Sequence, residues 1–257
     1  MPLLHEKKRK KRRYYRKNYV TLIIIMLLFT TLTLYFLLFT DFFNIKDIAV
    51  EGNNMVAKDE ILVKCGIKNS DNIFMFNKKT VVNALEKIPY IQEARLMRLF
   101  PDKILINIKE RKPIGIFYVN NSFTYVDSQE IVVDNSSNIY DSDIPIITIA
   151  DGSIQSTQAG ETISIEPQWI KKNVFGILNE LDETEISKYI SEINVTDDNL
   201  FYIYTKGGSI LKINNSDTLH DKIDFVITYL EENDDRMIID LTHGGNPTYI
   251  PRENEER

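Results

Sequence analysis

The sequence predicts an α+β protein with a single N-terminal transmembrane helix, a small domain of order β-α-α-β-β, and a larger mixed β-rich domain with flanking helices. Three observations support this prediction. An uncharged apolar run lies near the N-terminus, two short amphipathic helices with strands on either side follow it, and short strands separated by turn residues fill most of the remainder.

The apolar run extends from Tyr19 to Thr40, and no residue in it is charged. A helix of this length rises about 33 Å, which exceeds the roughly 30 Å of a bilayer's hydrocarbon core. A cleaved signal peptide has a shorter apolar region that ends in small residues, whereas Phe39 and Asp41 stand at the end of this one. We therefore interpret residues 19–40 as a retained membrane span.

Basic side chains precede this span and predict its orientation. The positive-inside bias keeps residues 1–18 in the cytoplasm and places the rest outside the membrane, a single-pass type II arrangement. Basic runs also occur in nucleic-acid-binding tails and nuclear addresses, but a position directly before a span favours the membrane interpretation. The basic residues are Lys7, Lys8, Arg9, Lys10, Lys11, Arg12, Arg13, Arg16 and Lys17.

The charge of the predicted exterior argues against a nucleic-acid partner. The first eighteen residues hold nine of the 31 basic side chains and one of the 37 acidic ones, so the rest of the chain has a net charge of -14. A surface this acidic disfavours DNA and RNA. The one cysteine, Cys65, has no partner for an internal disulfide, and we interpret it as a small buried hydrophobic residue rather than a reactive thiol.

Residues 44–113 are predicted to form the first folded domain. Both of its helices have one apolar face, which a three-stranded sheet can cover. Pro101 and Asp102 indicate a tight turn between the last two strands, and Ile104, Ile106 and Ile108 give the final strand a buried face. The predicted elements are the strand Ile45–Val50, a helix around Asp59 to Cys65 that ends at Gly66, the helix Asn77–Lys87, and the strands Ile91–Leu99 and Lys103–Arg111.

Residues 114–250 are predicted to form the second domain, and residues 251–257 a loose polar tail. Gly207-Gly208 indicates a hairpin, and two amphipathic helices are marked by apolar residues at steps of three and four. The predicted strands are Ile114–Val119, Phe123–Asp127, Ile131–Val133, Ile144–Ile149, Tyr189–Val195, Leu200–Lys206, Ser209–Ile213, Met237–Leu241 and Thr248–Ile250. The helices carry Ile170, Val174, Ile177 and Leu181, and Leu219, Ile223, Val226 and Leu230.

Short motifs in a particular order suggest a family. They are Val50-Glu51-Gly52-Asn53, Asn72-Ile73-Phe74, Ile88-Pro89-Tyr90-Ile91 with Ala94 and Arg98, Phe100-Pro101-Asp102, and the run Ile106–Pro113. Behind a basic tail and one span, this order resembles the POTRA domain of the bacterial cell-division family FtsQ, called DivIB in Gram-positive bacteria. The resemblance continues more weakly through Tyr125-Val126-Asp127, Ile144-Pro145-Ile146-Ile147, Lys222 and Ile239-Asp240-Leu241.

The resemblance implies a non-catalytic scaffold of the division machinery, without a cofactor, concentrated at the septum. Members of the family bind FtsL-type and DivIC/FtsB-type single-span proteins and help to control septal peptidoglycan synthesis. In the family, an edge strand near the end of the second domain takes up a strand of the FtsB-type partner. The matching residues here are Ile239, Asp240, Leu241, Thr248, Tyr249 and Ile250, with Tyr249 as the expected anchor. The alternative is that Thr248 to Ile250 form only a frayed terminal strand and bind no partner. Thr242 departs from the arginine that many relatives carry.

Two other classes of protein stay open at this point. A membrane-anchored cell-wall enzyme requires a nucleophile with a base, a metal cluster or a matched carboxylate pair. His5 is predicted to be cytoplasmic, and the exterior histidines His220 and His243 lack metal-ligand spacing, so no metal is expected. Asp240 with His243 gives only weak evidence for a base and its orienting group. An envelope assembly factor with repeated POTRA units is the other alternative, and one unit is visible.

The remaining carboxylate pairs have a simpler interpretation. Asp141 with Asp143, and Asp127 with Glu130, each lie within a few residues of one another in turn-rich sequence. Aspartate side chains commonly bond backbone amides two residues further on. We therefore expect turn residues at these positions.

Overall fold

The computed structural model describes residues 3–150, 152–196, 198–232 and 235–252, with side chains from Tyr19 onward. It comprises two compact units, residues 1–85 with 94–108 and residues 86–93 with 109–257. The side chains of the nine basic residues and residues 253–257 of the predicted tail lie outside the described residues. The α+β class predicted from the sequence is confirmed.

The N-terminal helix, α1, runs from Leu3 to Phe39. Its segment Tyr19–Phe39 is long and apolar enough to cross a bilayer, and its side chains are uncovered by the rest of the described chain. The hydroxyls of Thr30, Thr31 and Thr33 donate hydrogen bonds to carbonyls three or four residues earlier in the same helix. These three hydroxyls are thereby satisfied within the helix, as a lipid environment requires, and the segment fits a transmembrane helix.

The first domain follows a 3-10 helix, Asp41–Phe43. Its sheet has the order β1-β3-β2, in which β1 and β3 are parallel. The observed order of strands and helices is the predicted one, with bounds that differ by at most two residues. Its elements are β1 Asp47–Glu51, α2 Lys58–Cys65, α3 Lys78–Leu85, β2 Ile91–Leu99 and β3 Lys103–Glu110.

The core of this domain matches the predicted apolar faces. Ile61 and Cys65 of α2 are buried, as are Val81 and Leu85 of α3. Burial raises the pKa of the Cys65 thiol, which disfavours the reactive thiolate. Gly66 ends α2 with a φ of 66°, the left-handed conformation expected of a glycine after a helix.

The second domain is built on a nine-stranded mixed sheet of order β14-β13-β12-β11-β10-β7-β4-β5-β6. A separate two-stranded ribbon, β8 with β9, was not predicted. The strands are β4 Pro113–Val119, β5 Ser122–Asp127, β6 Val132–Ser136, β7 Ile146–Thr148, β8 Ile154–Ser156, β9 Ser164–Ile165, β10 Ile190–Val195, β11 Phe201–Thr205, β12 Ile210–Ile213, β13 Met237–Asp240 and β14 Thr248–Pro251.

Helices cover this sheet, and one prediction about them was wrong. The helix α4, Gln168–Glu183, buries Ile170, Val174, Ile177 and Leu181 as expected. The last amphipathic stretch is two helices rather than one, α5 Ser216–Asp221 and α6 Ile223–Glu232, with Lys222 between them. The backbone of Lys222, at φ -119° and ψ 15°, leaves the helical region there. A second 3-10 helix, Ser187–Tyr189, leads into β10.

A candidate partner-binding edge

The strand β14 forms one edge of the large sheet and pairs only with β13 among the described strands. The antiparallel register places Ile239 opposite Tyr249 and Asp240 opposite Thr248. The structure therefore brings the predicted partner-binding residues together on two adjacent strands, with Leu241 directly after β13. The strand continues to Pro251, one residue beyond its predicted end.

These residues differ in their access to a partner. Ile239 and Leu241 are fully buried, so their side chains support the edge from the core. Asp240 is partly buried beside them. Thr248, Tyr249 and Ile250 are exposed, and the exposed fractions of Tyr249 and Ile250 are 47% and 51%. The accessible part of the predicted site is thus β14 itself.

The backbone register shows which groups of β14 face outward. Arg252 N donates a 3.0 Å hydrogen bond to Arg236 O, which makes these two residues a hydrogen-bonded pair. Because bonded and non-bonded pairs alternate in an antiparallel ladder, Ile250 and Thr248 also bond β13, whereas the backbone groups of Tyr249 point away from it. The outward edge thus presents the N–H and C=O of Tyr249.

Proline limits this free edge on both sides. Pro251 occupies the next outward-facing position after Tyr249 and has no N–H to offer. Pro247 directly precedes the strand. Proline is tolerated at such outward-facing positions of edge strands because no ladder hydrogen bond is lost there. The free donor of β14 is therefore confined to Tyr249.

The side chain of Tyr249 lies on the helix-covered face of the sheet, because cross-strand partners share a face and its partner Ile239 is in the core. Its ring contacts Phe225 of α6 edge-on, with centroids 6.1 Å apart. Beside this contact is a groove lined by Phe225, Thr228, Tyr229, Asp235, Met237 and Tyr249. An apolar side chain of an added strand would find this groove next to Tyr249.

The loop between β13 and β14 is fastened by lysine and asparagine side chains. Lys222 Nζ donates to His243 O at 2.7 Å and to Gly245 O at 2.9 Å. Asn214 Nδ2 donates to Thr242 O at 2.9 Å. The break between α5 and α6 places Lys222 over this loop. The two hydrogen bonds of Lys222 then hold the residues that lead into β14.

Asp240 anchors the end of β13. Its Oδ1 accepts hydrogen bonds from the backbone N and the hydroxyl of Thr242, and its Oδ2 lies 3.1 Å from Lys212 Nζ. Partial burial alone would raise the pKa of this carboxyl, but the hydrogen bonds from Thr242 and the charge of Lys212 outweigh it and lower the pKa to about 2. Thr242 thus has a local structural role at the end of β13.

Two of the side chains weighed for an enzyme, Asp240 and His220, make structural contacts. Thr242 binds one carboxylate oxygen of Asp240 and Lys212 binds the other. His220 Nδ1 lies 2.9 Å from Glu180 Oε2, and this hydrogen bond, followed by the carboxylate charge, raises the pKa of the imidazole. Within the described residues, no three histidine, cysteine, aspartate or glutamate side chains lie close enough together to hold a metal ion.

The two carboxylate pairs are turn residues, as predicted. Asp141 Oδ1 accepts a hydrogen bond from Asp143 N at 2.9 Å. Asp127 Oδ1 accepts from the backbone N of both Gln129 and Ile131 at 2.9 Å. Its Oδ2 lies 2.6 Å from Arg111 Nη1, an ion pair that sequence analysis did not find because the partners are 16 residues apart in the chain.

Comparison with known proteins agrees with this architecture. Residues 43–111 match the model of the FtsQ-type POTRA domain. The chain is 26% identical over 215 residues to the cell division protein DivIB of Clostridium botulinum, covering 81% of this chain and 82% of that protein. It is 28% identical over 176 residues to the cell division protein FtsQ of Syntrophotalea carbinolica, covering 68% and 60% of the two chains.

A solved structure of the major extracytoplasmic domain of DivIB from Geobacillus stearothermophilus is also similar, with a TM-score of 0.32, 15% identity, and coverage of 48% of this chain and 94% of that one. The fold and the open edge define a class of membrane-anchored proteins with one POTRA domain followed by a β-rich domain. Residues 43–111 form a POTRA domain of the FtsQ type, and along most of its length the chain is similar to the cell division proteins DivIB and FtsQ.

Proposed function

We propose that this protein is a non-catalytic scaffold of the bacterial division machinery that spans the membrane once. Its basic tail lies in the cytoplasm, its two folded domains lie outside, and it is concentrated at the septum. It binds FtsL-type and DivIC/FtsB-type single-span proteins and thereby helps to assemble and control septal peptidoglycan synthesis. The names of the relatives in Clostridium botulinum and Syntrophotalea carbinolica, both cell division proteins, support the division role.

One observation carries the binding part of the proposal, namely the outward-facing backbone of Tyr249 on the open strand β14. An incoming strand can pair with this residue through one N–H and one C=O, a mode known as β-augmentation. Main-chain pairing supplies affinity, and the groove beside Tyr249 and Phe225 supplies selectivity for the partner's alternate side chains.

The fastened loop before β14 favours binding for an energetic reason. A strand that is already ordered loses little conformational entropy when a partner adds to it. Lys222, Asn214 and Asp240 fix the path of the chain from β13 to β14 before any partner arrives. An edge held in this way is preorganised for an added strand.

Capture of a DivIC/FtsB-type partner by the full-length protein in detergent or nanodiscs tests this proposal. Tyr249→Ala removes the aromatic anchor, and we expect roughly 30-fold weaker binding, equivalent to about 2 kcal/mol. Tyr249→Pro removes the outward N–H without removing a β13–β14 hydrogen bond, and it should weaken binding at least as much. Tyr118→Ala is the matched control, since Tyr118 is 56% exposed on β4, away from this edge.

The outcomes separate the scaffold from its rivals. Undiminished capture by both Tyr249 variants, with the circular dichroism of the native protein, would exclude β14 as the binding site. A fluorescent fusion that distributes evenly around the envelope would contradict the septal role. Turnover of peptidoglycan fragments by the purified protein would instead support a cell-wall enzyme.

A further inference from the structure

The motif Asn72-Ile73-Phe74 has a position that partner binding at β14 does not explain. The last four carbonyls of any α-helix have no partner within the helix. Here Asn72 Nδ2 donates to the carbonyls of Leu37 at 2.9 Å and Leu38 at 3.3 Å, and the Thr40 hydroxyl donates to that of Phe36 at 2.6 Å. A side chain of the POTRA domain therefore caps the end of the membrane-spanning helix.

Backbone pairing holds Asn72 in this place. Ile73 N donates to Phe43 O at 2.9 Å, and Ile45 N donates to Asp71 O at 2.9 Å. Asn72 itself is 6% exposed, and its Oδ1 accepts a hydrogen bond from Phe74 N at 2.9 Å. The segment after the helix and the segment around Asn72 thus run side by side, and the loop that follows Asn72 is fixed relative to the helix end.

A series of aromatic rings leads from the helix onto this domain. Phe36 of the helix meets Phe43 with centroids 6.0 Å apart, Phe43 meets Phe74 at 5.2 Å, and Phe74 stacks on Phe100 at 5.3 Å. The outer members of this series are open to solvent in the isolated chain. Apolar side chains beside them are exposed as well, and the exposed fractions are 38% for Phe74, 64% for Met75, 45% for Leu99 and 60% for Phe100.

The position of Phe74 and Phe100 relative to a bilayer follows from the length of the apolar segment of α1. Tyr19–Phe39 has 21 residues, which at about 1.5 Å each is just the thickness of a bilayer's hydrocarbon core. The carbonyls that Asn72 caps are therefore at the outer boundary of the hydrocarbon. Phe74 and Phe100 lie within two ring contacts of Phe43, which places them at the level of the lipid head groups, where aromatic side chains are favoured.

We propose that Phe74, Met75, Leu99 and Phe100 form a second membrane contact, in which two loops of the POTRA domain insert into the interfacial layer of the outer leaflet. The occupant of this apolar surface is lipid, because the surface is continuous with the membrane-spanning helix. Burial of this surface in the interface, with the cap by Asn72, holds the POTRA domain against the bilayer. The proposal does not depend on the partner that β14 binds.

Quenching of a single tryptophan by brominated lipid tests this contact. The full-length protein with Trp169→Phe and Phe100→Trp is reconstituted in phosphatidylcholine vesicles whose acyl chains carry bromine near the head group. Trp169 is the only tryptophan of the chain, and phenylalanine there keeps a ring against Phe201. We expect the tryptophan at 100 to lose about half of its emission in brominated lipid, as a residue of the interfacial aromatic layer does.

Met55→Trp in the same background is the matched control. Met55 is 60% exposed and follows the far end of β1, about 13 Å along the strand from Asp47. Its tryptophan should keep its emission in brominated lipid. Equal quenching at positions 100 and 55, or none at position 100, would overturn the proposal. Quenching at 100 that disappears when the vesicles also contain a division partner would show that protein, not lipid, covers this surface.

Discussion

The ammonium group of Lys222 donates a 2.9 Å hydrogen bond to the carbonyl oxygen of Gly245, which joins the break between α5 and α6 to the loop before β14. A second bond reaches His243 O at 2.7 Å. Lys222 therefore acts on the candidate binding edge from a distance, through the loop rather than through the strand.

Lys222→Met should loosen β14 without unfolding the domain. Loss of two hydrogen bonds from a charged group at a partly exposed site costs about 1–2 kcal/mol. Local opening of the edge then becomes roughly 5- to 30-fold more frequent. The measurement is amide exchange at Ile250, whose N–H faces β13. Lys172→Met, at an exposed position of α4, should leave that exchange rate unchanged.

Asp240 should make the stability of the second domain sensitive to acid. Its folded-state pKa of about 2 is below the unfolded value of about 3.9, so its contribution is complete above pH 4 and is lost as the pH falls toward 2. We expect Asp240→Asn to cost about 2 kcal/mol at pH 7 and progressively less below pH 4. Calorimetric unfolding at pH 7 and pH 3 measures this. A cost that stays constant with pH would contradict the assignment.

Gly52 should tolerate no side chain. Its φ is +82°, and a Cβ built there would lie 2.2 Å from Ile108 O. Gly66 is the matched control, because its φ of +66° is also left-handed but no atom lies within 4 Å of a Cβ. We expect Gly66→Ala to cost about 1 kcal/mol and Gly52→Ala about 3 kcal/mol or more, from the added clash. Thermal unfolding of the two variants compares them directly.

Asp127 should be the most costly carboxylate to remove from the second domain. Its side chain is 3% exposed, pairs with Arg111 at 2.6 Å and also accepts two backbone hydrogen bonds. Asp127→Ala leaves the Arg111 charge largely buried and unpaired, which costs about 3–5 kcal/mol. Asp127→Asn keeps an acceptor for the turn and should cost less. Equal stability of Asp127→Ala and the native protein would refute this account.

Periodicity and turn motifs predicted the elements that depend on residues close together in the sequence. The steps of three and four from Ile170 to Leu181 predicted α4, and Gly207-Gly208 predicted the β11–β12 hairpin, where Gly208 has a φ of 93°. The break at Lys222 was not predicted, because Leu219 and Ile223 keep the helical spacing across it. The ribbon of β8 and β9 was not predicted, because strands of two and three residues are too short to show an alternation of apolar and polar residues.

The candidate site was predicted in part, and only by resemblance. That β14 is at the edge of the sheet depends on the pairing of β12 with β13, a long-range contact that no local pattern encodes. Burial of Ile239 and Leu241, and the outward direction of the Tyr249 backbone, depend on register. The capping of α1 by Asn72 joins residues 35 positions apart, and the resemblance marked the motif without its role.

Pro251, at an outward position of β14, has a consequence for the protein among copies of itself. An unguarded edge strand is a template on which identical molecules can polymerise into fibres. A strand with a proline at an outward-facing position can pair with one short strand, but it cannot extend a continuous hydrogen-bonded ladder. Pro251 therefore limits edge-to-edge pairing between copies of this protein, while the backbone N–H of Tyr249 stays exposed.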